Sequence, residues 1–224
     1  MTTTKKIKGL VHFVFAIYLV SVLSDVQVPV HGRVLLQKKP DPENAAASAR
    51  WLVSQNIWGV LDTISSDLGG APFGNVVSFS DGEPGKGSGI PYFYLTTLDP
   101  TARKALKDPR VSLTISEHPI GTCGKTDPEN PTCAKLTLNG KLRLADPKEL
   151  EFAKRALFTK HPEMKDWPKT HNFQFFKLDI ENIFLINWFG GPKPLTFDQY
   201  LHPKNKCSLI TENALTPGLL VIKL

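Results

Sequence analysis

Five side chains gathered around one predicted helix start have the types that grip an anion: Thr96, Thr97, Thr101, Arg103 and Lys104. Hydroxyls, cations and the free N–H groups of a helix N-terminus together make a phosphate cradle. The start is set by Asp99-Pro100, with Asp99 as N-cap and Pro100 in the first helical position. Asp99 also opposes the phosphate reading. As a cap it takes the helix N–H groups, and its charge repels an anion there. The plainer reading of Arg103 and Lys104 is a solvated helix face.

The other chemistry-bearing residues are three cysteines, Cys123, Cys133 and Cys207. Cys123 and Cys133 bracket a loop rich in Gly, Pro, Asp and Asn, with little apolar surface to hold it. A disulfide across it gains roughly 3 kcal/mol by chain entropy, strain aside. The alternative is two free or metal-binding thiols, but His118 stands alone nearby and no histidine pair has zinc spacing. Cys207 is left over, as a free or intermolecular thiol. Gly-x-Ser-x-Gly, His-Glu-x-x-His, P-loop and dinucleotide-binding signatures are absent. Gly85–Gly89 (GKGSG) has no helix after it and reads as a flexible turn. The aromatics Phe173, Phe175, Phe176, Phe184, Trp188 and Phe189 read as core or dimer contacts rather than a cofactor box.

The elements around these residues are short. The opening stretch, Pro91–Ser116, predicts a strand, a capped helix ended by Asp108-Pro109, and an alternating strand at Val111, Leu113 and Ile115. Asp41-Pro42 and Asp146-Pro147 predict two further helices by the same device. Strands are expected at 57–65, at Val76–Phe79, at 172–178 and at 183–189. SDLGGAPFGN (66–75) is read as a loop. Lys135–Leu144 alternates without a phase break across Asn139-Gly140, which favours one long bulged strand over a tight hairpin. Thr196 with Gln199 predicts a capping box. Strands joined by short turns point to a mainly β fold, a mostly antiparallel barrel with peripheral helices.

The N-terminus carries Lys5, Lys6 and Lys8 before an apolar run from Gly9 to Leu23. That pattern predicts a signal peptide over residues 1–24, cleaved between Ser24 and Gly32. An uncleaved anchor is the rival, but the run is short of the roughly 20 residues a spanning helix needs. Removing the leader's three lysines lowers the net charge from +6 to +3, leaving 24 basic against 21 acidic residues. So modest and scattered a charge argues against nucleic-acid binding. The secretory route favours the Cys123–Cys133 disulfide. Residues 25–40 are an N-terminal arm, 41–204 the folded domain and 205–224 a tail without a readable pattern.

YLTTLDPTARKALKDPRVSLTIS resembles the FMN-binding split-barrel superfamily of pyridoxamine-phosphate oxidases. With Ala49–Ser65, Pro72–Asp81, the Cys123/Cys133 pair, FTKHPEMKDW (158–167) and FGGPKPLTFDQY (189–200), the match is to the CREG family of secreted glycoproteins. This resemblance implies a six-stranded split barrel paired into a homodimer. It also implies a growth- or differentiation-type regulator working through a protein partner, secreted or endolysosomal, with no cofactor expected. The alternative from flavin-binding relatives is an FMN-dependent oxidoreductase using Thr96, Thr97, Thr101, Arg103 and Lys104. The chain departs from the family in its glycans: Asn130-Pro131-Thr132 is blocked by proline, and no ordinary Asn-x-Ser/Thr site exists.

Overall fold

A computed structural model describes residues 37–203. The predicted leader, most of the arm and the 205–224 tail with Cys207 lie outside the described residues. Seven strands and four α-helices follow one another: α1 (Ala45–Gln55), β1 (Trp58–Ser65), β2 (Ala71–Ser78), β3 (Tyr92–Leu95), α2 (Pro100–Lys107), β4 (Arg110–Ser116), β5 (Lys135–Leu144), α3 (Leu150–Lys160), β6 (Gln174–Ile186), β7 (Lys193–Leu195) and α4 (Phe197–Leu201). They form one sheet in the order β2-β1-β4-β5-β6-β3, with β7 added on β6. Every named pairing is antiparallel. No described helix is long and apolar enough to cross a membrane.

The sheet curls until its end strands meet. Ser80, just past β2, bridges to Tyr92 at the start of β3, with reciprocal bonds of 3.0 and 2.8 Å. This is a barrel joined at one point along its seam. Alternation fills its interior: Leu61, Leu113, Ile115, Leu136, Leu138, Leu142, Phe176, Leu178 and Leu185 are all buried. Leu52 and Val53 from α1 and Ala102 and Ala105 from α2 join the same core. Each fully buried Leu or Phe stabilises the fold by roughly 1.5–3 kcal/mol relative to exposure.

β5 is the long bulged strand expected. Its register against β6 shifts between Asn139 and Gly140, which face Asn182 and Ile180. Glu181 is the extra residue. A Cβ on Gly140 would lie 1.9 Å from the Asp179 carbonyl oxygen, so this close approach requires glycine.

Four expectations change. The strands read at 172–178 and 183–189 are one strand, β6, because the bulge lets it pair along all of β5. The 66–75 loop is shorter, since β2 begins at Ala71 and its polar-looking half pairs with β1. Asp41-Pro42 makes a turn before α1 rather than its cap: Glu43 N–H donates to Asp41 Oδ1, Asn44 N–H to the Asp41 carbonyl, and Asn44 caps the helix. Asp146-Pro147 does the same before α3, whose N-cap is Glu149. In both cases the Asp side chain bonds two residues on, an Asx turn that competes with capping. Only Asp99-Pro100 caps as read.

Candidate functional site

Away from the Ser80–Tyr92 bridge, β2 and β3 separate, and a cleft of about 460 Å³ opens between them. β2 contributes Val76 and Val77 to its wall, and β3 contributes Tyr94. Trp167 and Phe173 follow the two 3₁₀ segments, Pro162–Asp166 and Lys169–His171, that lead into β6. Pairing of Tyr94 with Phe175 across β3 and β6 builds an aromatic stack beside it. The Tyr94 ring lies 5.0 Å from Phe173 and 4.7 Å from Phe175, nearly parallel to both, with Trp167 at 6.0 Å. Tyr94, Trp167 and Phe173 are only partly buried, and all three line the cleft.

The start of α2 meets this cleft through Thr96 and Asp99. Asp99 Oδ1 accepts from Thr101 N–H at 2.7 Å. The Asn75 amide donates to Asp99 Oδ2 at 3.1 Å and to Thr101 Oγ1 at 3.0 Å. Thr101 is fully buried beneath that cap. Thr96 donates its hydroxyl to the His171 carbonyl and accepts from Leu98 N–H. Arg103 donates twice, at 2.8 Å, to the carbonyls of Thr97 and Leu98. Lys104 is buried, with its ammonium 3.3 Å from the centre of the Phe73 ring, a cation–π contact. Thr97 is exposed. Of the five anion-gripping candidates, then, only Thr96 lines the cleft. Asn75, Tyr94 and Trp167 complete the site. Asn75 lay in the stretch read as a loop, and the others carried no signal beyond being aromatic.

Across the seam, residues 80–89 form a tightly held loop, not the flexible turn expected. Arg50 donates to the carbonyls of Gly87 and Ser88. Tyr200 donates its hydroxyl to Gly89, whose N–H donates to Asp81 Oδ2. Asp81 lies 3.7 Å from Lys160, both side chains 2% exposed. Lys160 also donates to the carbonyls of Ser54 and Asn56. Burial pushes its ammonium pKa down, against the pull of Asp81. The neighbouring His161, bonded through Nε2 to the Phe79 carbonyl, is likewise pushed down by burial.

Cys123 and Cys133 form a disulfide. Beside it, buried Glu117 accepts from Lys39 at 2.8 Å, from Thr122 at 2.8 Å and from Ala134 N–H at 2.8 Å. Among the described residues, Glu117 with these two sulfurs is the one grouping with metal-ligand spacing. Sulfurs bonded to each other offer no thiolate. His161 bonds the Phe79 carbonyl through Nε2, and His202 bonds Asp198 through Nδ1.

Residues 40–202 match the family model described as CREG, beta-barrel. The chain is 42% identical over 165 residues to Protein CREG1 of Homo sapiens, covering 72% of this chain and 75% of that one. It is 41% identical over 165 residues to human Protein CREG2, again 72% of this chain, but spans only 57% of that relative's length. A solved heme binding protein from Mycobacterium smegmatis shares the fold, with a TM-score of 0.58 at 19% identity over 74% of this chain and 62% of that one.

Proposed function

The chain belongs to the CREG β-barrel family, and from that premise we propose that it is a CREG-type regulator acting by protein contact, without bound flavin. It works in the secretory pathway, outside the cell or in the endolysosomal lumen, as a homodimer engaging a protein receptor or ligand. Such a location accords with the Cys123–Cys133 disulfide, since oxidising compartments preserve such bonds.

One observation carries the flavin-free reading. Four of the five donors that would hold a phosphate at the start of α2 are committed within the chain: Arg103 to backbone carbonyls, Lys104 to Phe73, Thr101 to the Asp99–Asn75 cap, and Thr96 to the His171 carbonyl. What remains facing the cleft is a carboxylate. A flavin phosphate placed there would meet negative charge with no cation to offset it. The donor set does not fit that group.

The test is the visible spectrum, the mass and an FMN titration of the purified protein. The expected result is a colourless dimer that takes up no FMN at high micromolar concentration. Yellow protein with one FMN per subunit would instead establish the flavin oxidoreductase reading, with Thr96, Thr97, Thr101, Arg103 and Lys104 rearranged around the phosphate.

A further inference from the structure

The seam cleft has a chemistry of its own. Its walls are aliphatic and aromatic, and Asp99 is the lining residue that carries charge. The two cations on the adjoining helix do not supply a counter-charge inside it. Arg103 is turned to the carbonyls of Thr97 and Leu98, and Lys104 is buried against Phe73. Neither forms an ion pair with Asp99 among the described contacts. The N-terminus of α2 contributes only about half a positive charge, less than the full charge of the Asp99 carboxylate that caps it. Asp99 accepts from Thr101 N–H and Asn75. Two donors leave part of a carboxylate's roughly four lone-pair positions unused.

We propose that this cleft binds a small planar aromatic cation. The ring surface of Tyr94, Trp167 and Phe173 that lines the cleft attracts a flat cationic ring through dispersion and the ring quadrupole. Asp99 supplies the opposite charge at one end, and the volume suits a two-ring molecule. The proposal goes beyond the regulatory role proposed above.

The test is a titration of the full purified protein with N-methylquinolinium, followed by NMR at the Trp167 indole and the Thr96 amide. Quinoline serves as the neutral counterpart and naphthalene-1-sulfonate as the anionic one. The cation is expected to bind roughly 3- to 30-fold more tightly than quinoline, the span of a cation–π contact. Asp99→Asn keeps an equally good N-cap, so the fold is retained. It is expected to lower cation affinity several-fold and leave quinoline unchanged. Equal affinity for all three probes, shifts confined to other residues, or unchanged cation binding in Asp99→Asn would each overturn the proposal. Tight FMN binding would overturn the flavin-free reading instead. Absence of any probe binding would overturn only the cation site.

Discussion

The 80–89 loop and the 94–99 stretch border the same seam, yet they settle their polar groups in opposite ways. The loop is tied by residues far away in sequence: Arg50, Lys160 and Tyr200. Asp81 and Lys160 are buried there, and each of these bonds closes a long stretch of chain. The cleft side relies more on local bonds, as Arg103 bonds residues five and six positions back and Asp99 two ahead, with Asn75 and His171 its remote partners. Long-range polar ties fix a backbone. Local ones leave the neighbouring ring surface free for something else to cover.

Asp81→Ala should break this contrast most severely. It leaves buried Lys160 without a counter-charge, held only by the Ser54 and Asn56 carbonyls, and Gly89 N–H without its acceptor. Removing one member of a buried pair costs about 3–5 kcal/mol, which urea unfolding would register. A loss under about 1 kcal/mol, the worth of an exposed pair, would mean the loop is held by shape alone. Arg50→Ala comes next. It deletes two charge-assisted bonds to the Gly87 and Ser88 carbonyls, and a loss of about 2–3 kcal/mol is expected. On the cleft side, Asp99→Ala should cost only about 1 kcal/mol, the usual loss for an N-cap. Equal losses from Arg50→Ala and Asp99→Ala would erase the distinction.

The smallest effect concerns pH. His161 is buried and its pKa is lowered by that burial. The unfolded chain therefore takes up the proton first as pH falls, and stability declines from about pH 6.5 downward until the folded-state pKa is reached. Above about pH 6.5 the residue contributes no slope. The decline attributable to this residue is capped at about 1.4 kcal/mol per pH unit. Comparing unfolding of the parent and His161→Gln between neutral and acidic pH isolates it. A slope identical in both proteins would show that His161 does not titrate on unfolding.

The sequence was informative where a local device carried the structure. Asp99-Pro100 caps α2, Thr196 and Gln199 make a capping box, and β5 alternates through its bulge. Each needs only neighbours a few residues apart. It misled where the same residues had two local options, as at Asp41 and Asp146, which turn the chain instead of capping it. It was silent where partners are remote. Nothing near GKGSG announces that Arg50, Asp81 and Tyr200 converge on it. The cleft was legible in part: Thr96 and Asp99 were marked, but Tyr94 and Trp167 gain their role only through the pairing of β3 with β6 and the turns before it.

The single extra residue at Glu181 works like a reading-frame shift written into protein rather than nucleic acid. Before it, even-numbered positions of β6 face inward, Phe176 and Leu178; after it, odd-numbered ones do, Ile183 and Leu185. Deleting that residue would remove the bulge and leave Asn182 and Ile183 opposite Asn139 and Leu138, with Ile183 and Leu185 still facing inward. A residue gained or lost elsewhere in β6 has no such outlet, and turns every position beyond it to the other face. The bulge is thus the one place in the strand where an odd residue is absorbed without exchanging core for surface.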